Sequence, residues 1–435
     1  MLLSFLKDSW KNVAANTSLT FTSLAVRFFL VSIIIQEIGT EAYSSWIFWI
    51  SITTYVTLAD IGFIPFLQYR LLNMSKKRSR YLFKTYWRVA NQTMLGVHLI
   101  IIVCGLTAFF TGQAPFFALL LLFATVLQNF GRLGQVFARA NKKHHETILT
   151  FAFGNILFLA SCALFINKGA TLNQVSFFFL AFYGLSSLII IRIGNRAQSK
   201  IKFWVNLLRN LFQTISIKYK TILKIFAASS WFTLNFSTPV LLNSVPIFTV
   251  TSYFGGEALV IFITTRMIYN LMFMTSNIVF ISIIPEGFAK IVSVSSREKM
   301  RILASLCMFT TIYAGVFGIF LTAILDWLFL NWTGGSVATD IEVALSVFCL
   351  SVIQCLINLV LNVAGALGLS KHVSIANILG VTLSAFICLL LTICGVKIVL
   401  SSFILISICL PLFCGFVFSV VTIYVMVTRK ELQSF

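Results

Sequence analysis

Residues Ile50–Arg70 read ISITTYVTLADIGFIPFLQYR. The stretch is apolar or weakly polar, as a helix that crosses a bilayer must be. Asp60 stands inside it, ten residues ahead of Arg70, the first charge that could mark an exit. A carboxylate at that depth needs water or a partner, and the rest of the chain indicates which.

The 435 residues are 59% hydrophobic and 10% charged. Soluble domains carry about 25% charged residues, and apolar runs long enough to span a membrane recur along the whole length. The composition therefore predicts an all-α polytopic membrane protein without a sizeable soluble domain. The opening MLLSFLKDSW lacks a basic stretch followed by a short apolar core and a small-residue cleavage site, so no cleaved leader is expected. Nine cysteines fall in apolar runs without a CxxC spacing and read as small buried hydrophobes. Four histidines, at 98, 144, 145 and 372, make no metal-ligand spacing, and no metal is expected.

Hydropathy divides the chain into twelve spans, near 13–36, 43–69, 89–110, 115–138, 147–167, 174–192, 225–252, 257–284, 303–330, 343–366, 373–396 and 401–427. With both termini cytoplasmic, 27 of the 32 basic residues fall in inner segments and only Lys168 and Lys397 in outer ones. That asymmetry is the positive-inside pattern. The net charge of +20 is accordingly a topology signal, with KKRSR at 76–80 lying against lipid headgroups and no nucleic-acid partner expected. The basic segment 193–224 separates a six-span lobe, 1–192, from a second, 225–435. GTEAYSSWIF at 39–48 is echoed by GGEALVIFIT at 255–264, an offset of 216 residues. Two six-span lobes of equal orientation are parallel repeats, which place a substrate site between them.

Three bases remain inside spans: Arg27, Arg132 and Arg266. With Asp60 they are the intramembrane charges, each costing about 2.5–3.5 kcal/mol at a helix centre. Polar neighbours share their faces. Asn16, Thr20 and Ser23 lie with Arg27; Thr53 and Thr57 with Asp60; Gln128 and Gln135 with Arg132; Asn270 and Asn277 with Arg266. Span ten adds Ser351, Gln354, Asn358 and Asn362. On an α-helix each of the four charged sets occupies an arc of about 60°. Such stripes either line a wet cavity or join helices by hydrogen bonds. Arg132 is near enough to the cytoplasmic end of its span to snorkel, whereas Arg27 and Arg266 are deep. Asp60 is expected to pair with one of these arginines, either as a structural ion pair or as a group that titrates during transport. Three cations against one acid favour an anion, and the arginine fork matches phosphate oxygens.

RFFLVSIIIQEIGTEAYSSWIFWISITTYVTLADIGF at 27–63 resembles the first two helices of the Wzx-type polysaccharide flippases. The resemblance rests on an outer glycine–acid–tyrosine turn and the inner Asp60-Ile61-Gly62. NIVFISIIPEGFAKI at 277–291 is similar to that family's close of helix eight. The resemblance implies the multidrug/oligosaccharidyl-lipid/polysaccharide (MOP) exporter superfamily and its MATE-like fold. It implies an undecaprenyl-diphosphate-linked oligosaccharide, such as an O-antigen unit for lipopolysaccharide, moved to the outer leaflet of a bacterial inner membrane. It also implies polysaccharide polymerase and chain-length machinery as partners. Such a transporter is not an enzyme and needs no cofactor, and a proton or cation gradient would drive it. The alternatives are another exporter of the same fold, for a drug or a peptidoglycan precursor, or an oligosaccharide polymerase. A polymerase should carry a large basic outer loop, and the outer segments here hold only two bases.

Overall fold

A computed structural model describes residues 2–60, 64, 67, 76–140, 143–166, 169, 171–195, 237, 240–241, 244–291, 296–366, 370–394, 396 and 398–432. Among them there is no strand, and ten helices are long and apolar enough to cross a membrane. The other two expected spans, 43–69 and 225–252, extend beyond the described residues, as do 196–224 of the basic segment and the Ile61-Gly62 pair. The chain falls into two compact units, Met1–Thr233 and Leu234–Phe435.

The first unit holds α1 (Leu2–Glu37), α2 (Thr40–Val56), a 3-10 turn (Thr57–Asp60), α3 (Lys76–Phe110), α4 (Phe116–Ala140), α5 (His144–Ile166) and α6 (Leu172–Asn195). α4 packs along α6, α1 against α5, and α2 and α3 against α4. The α4–α6 contact is set by glycine. A Cβ on Gly134 would lie 2.8 Å from the Cα of Ile191, and one on Gly194 would lie 2.4 Å from the Gly134 carbonyl oxygen. The two backbones meet because neither residue has a side chain. Gly131, a turn earlier, faces Ser187 in the same way. Arg132 is thus carried between two of the glycines that clamp α4 to its neighbour.

α2 departs from the expected helix. Ser51 donates to the Ile47 carbonyl, Thr53 and Thr54 both donate to that of Ile50, and Thr57 donates to that of Thr54. Hydroxyls that bond back to the preceding turn compete with the backbone ladder and bend helices. Here α2 tightens into the 3-10 turn at Thr57. In such a turn residues three apart eclipse, so Asp60 stays on the Thr57 side of the chain.

The second unit holds α7 (244–254), α8 (Gly256–Ile291), α9 (Ser296–Ala323), α10 (Leu325–Thr333), α11 (Ile341–Ala366), α12 (Ser370–Ile393) and α13 (400–432). The expected span 303–330 is broken at Ile324, and the short α10 is closed by Gly334 in the left-handed region at φ 62°. α8 packs on α11 and α12 on α13. α13 widens to a π-helix over Ile404–Cys409; the Ser407 carbonyl accepts a 2.6 Å bond from Ser384 of α12. Ser401 at its start donates to the Glu342 carboxylate at 3.1 Å, tying α13 to the start of α11.

The repeat seen in the sequence has a backbone counterpart. Gly39 and Gly255 both have positive φ, 111° and 84°. Each precedes a helix with an acid in its first turn, Glu41 or Glu257, where the helix dipole favours negative charge. Each also accepts a bond from the amide four residues on, Tyr43 or Leu259.

Candidate functional site

Arg27 sits at the centre of the apolar stretch Thr17–Glu37 of α1 and is exposed. Ser23 lies one turn before it. From α5, the buried Asn155 donates to the Ser23 hydroxyl at 3.0 Å and to that of Thr22 at 3.2 Å. Its amide oxygen accepts a short bond from the Tyr183 hydroxyl of α6. The Tyr183 ring is held against Phe158 and Phe179, and its hydroxyl is close enough to Arg27 for the two to interact electrostatically. The bonds run in one direction. Tyr183 gives its proton to Asn155, Asn155 gives its protons to Ser23 and Thr22, and Ser23 keeps a hydroxyl proton to donate. Beside Arg27 the arrangement therefore offers donors, which suits an anionic oxygen.

The Asp60 carboxylate, half-buried at the end of the 3-10 turn, interacts electrostatically with the exposed Arg132 of α4. A third polar cluster lies where α2 ends. Asn129 of α4 is fully buried and donates to the Val56 carbonyl at 2.8 Å and to Nε2 of His98 on α3 at 2.9 Å. His98, 1% exposed, places Nδ1 2.6 Å from the Met94 carbonyl.

Arg266, on α8 in the second unit, is buried, with its guanidinium 5.9 Å from the centroid of the Phe262 ring. Asn270 and Asn358 are half-buried and Gln354 is buried. Ser276 of α8 meets the Cys355 sulfur of α11 at 3.6 Å. The three cations thus have different settings: Arg27 and Arg132 are exposed and Arg266 is covered. Thr20, Thr57, Gln128 and Gln135 are half-buried. Thr53 is buried. The side chains of Asn16, Asn277 and Asn362 lie outside the described residues. Cys104, Cys349 and Cys394 are exposed rather than buried. Among the described residues no group of His, Cys, Asp or Glu could hold a metal ion.

Sequence reading missed Asn155, Tyr183, Asn129 and His98. Each meets its partner across a helix contact, which the pattern of a single helix does not announce. The available signal was the presence of Asn and His in spans where a partner is obligatory.

No family model and no curated protein matches the chain. Solved structures do. An inward-facing multidrug-resistance MATE-family transporter of the MOP superfamily matches with TM-score 0.64 and 13% identity, over 94% of this chain and 96% of that one. The lipid II flippase MurJ in an inward-closed conformation matches with TM-score 0.59 and 12% identity, over 97% and 91%. The Vibrio cholerae MATE transporter VcmN in its bent form matches with TM-score 0.56 and 14% identity, over 99% of each. The chain is a multi-pass membrane protein with the fold of the MOP transporters.

Proposed function

We propose that this protein is a flippase that carries an undecaprenyl-diphosphate-linked oligosaccharide from the cytoplasmic to the periplasmic leaflet of a bacterial inner membrane. The observation that supports it most is Arg27, an arginine at the middle of an apolar helix, flanked by a hydroxyl that Asn155 and Tyr183 leave free to donate. A drug exporter for cations would place acids there instead. In the proposed cycle Arg27 holds the diphosphate, and the sugars lie among Asn, Gln and Thr side chains. The polyprenyl tail stays in lipid, and alternating access is driven by a proton or cation gradient. Polymerase and chain-length proteins take up the product. A peptidoglycan precursor presents the same diphosphate, so the sugar distinguishes the two substrates.

Binding tests the reading. Purified protein should retain a short-chain polyprenyl diphosphate sugar far better than the corresponding monophosphate or a neutral polyprenol. Arg27→Ala should erase that preference. Equal retention of all three would remove the diphosphate clamp, and tighter binding of a cationic drug would favour the exporter alternative.

A further inference from the structure

The cluster at the end of α2 holds a titratable group that the substrate reading does not use. His98 is covered by α4, with Phe130 at a ring separation of 5.4 Å. Beside it lies an apolar cluster of Val56, Leu119, Leu122 and Val126. Its hydrogen bonds define one protonation state. Nδ1 faces a carbonyl and must carry the proton; Nε2 faces the Asn129 NH2 group and must be the bare acceptor. The same NH2 group gives its other proton to Val56. The Asn129 amide oxygen is left buried without any partner, which native structures rarely tolerate.

That orphaned oxygen is the acceptor a protonated His98 would need. A proton added at Nε2 would point at two amide protons. Rotating the Asn129 amide by half a turn resolves the clash, because its oxygen then accepts from Nε2. The same rotation sets that oxygen against the Val56 carbonyl and breaks the 2.8 Å bond. Val56 is the last residue of α2 before the 3-10 turn that ends at Asp60. We propose that His98 is a proton-binding site, and that its protonation releases the end of α2 through Asn129. Described charged groups on the neighbouring elements are Asp60 on the turn, Arg132 and Arg139 on α4, and Glu41 at the far end of α2. Asp60 and Arg132 interact electrostatically with each other.

The experiment reads conformation and so holds whatever the chain transports. On a background lacking the native cysteines, Leu58→Cys in the turn carries a nitroxide, with the full chain in nanodiscs. Its mobility should rise along a single titration as pH falls from about 8 to 5. His98→Gln, whose amide oxygen can still accept from Asn129, should hold the low-mobility form at every pH. Asn129→Asp, whose carboxylate repels the Val56 carbonyl, should stay in the high-mobility form. A flat wild-type profile, or an unchanged titration in His98→Gln, overturns the proposal. If Asp60→Asn abolishes the titration while His98→Gln keeps it, the proton site is Asp60 instead. Should either His98 or Asn129 variant elute as aggregate, the 15N imidazole spectrum of the wild-type chain decides. The resonance absent in His98→Gln, or the buried one if that variant is lost, must change form over the same range, and its failure to do so is equally fatal.

Discussion

Asn129 and Val56, 73 residues apart, are joined by a 2.8 Å hydrogen bond at the point where α2 becomes a 3-10 turn. The bond satisfies a carbonyl that a continuing α-helix would have used itself. Replacing Asn129 with Ala should expose that loss, along with the acceptor of His98. About 1–3 kcal/mol of stability is the expected cost for a buried group left unpaired, read as earlier thermal unfolding in detergent.

The glycine contacts make a sharper stability prediction. Gly134→Ala drives a Cβ to 2.8 Å from the Ile191 backbone and should lower stability by about 1–3 kcal/mol. Gly96→Ala on α3 meets nothing within 4 Å and should be neutral or slightly stabilising. Comparable losses in both would mean that the α4–α6 approach is not what the glycines serve.

Asp60 and Arg132 should behave as one unit. Asp60→Asn and Arg132→Gln each leave the other charge uncompensated, so each alone should reduce folded yield and activity. Combining them should cost less than the two losses added. Additive losses would show that the charges act separately.

Asn155→Ala and Tyr183→Phe remove no charged residue, yet both interrupt the donors beside Arg27. They should weaken diphosphate binding several-fold, with Tyr183→Phe the milder because Asn155 keeps its bonds to Ser23 and Thr22. Unchanged binding in both would confine the site to the arginine.

Topology is checked by single cysteines on a background without the native ones. Arg80→Cys, Val205→Cys and Ser295→Cys should label from the cytoplasm. Thr40→Cys, Glu257→Cys and Ser336→Cys should label from outside. A reversed loop would break the twelve-span, two-lobe organisation.

What could be read from the sequence follows from physics local to one helix. An arginine in an apolar run is costly wherever its partner lies, so Arg27, Arg132 and Arg266 stood out. The glycine–acid turn at Gly39 and Gly255 was legible because positive φ and helix-dipole complementarity leave residue-type signatures. The fate of Asp60 was not. It ends a 3-10 turn that follows four hydroxyls bonding back into α2, and a hydropathy pattern does not reveal that. Asn155 with Tyr183, and Asn129 with His98, form only when two helices meet. The burial of Arg266 depends on the packing of the second unit rather than on its own stripe.

The most direct measurement is transport itself. The full chain is reconstituted in liposomes with a fluorescent undecaprenyl-diphosphate oligosaccharide, and a membrane-impermeant quencher follows the headgroup across the bilayer. The headgroup should cross only in vesicles that contain protein. Arg27→Ala should slow it by about tenfold or more, in line with the loss of a charged hydrogen-bonding group, and Arg27→Lys should restore part of the rate because charge survives without the fork. Crossing at the protein-free rate, or an Arg27→Ala rate equal to wild type, would contradict the account.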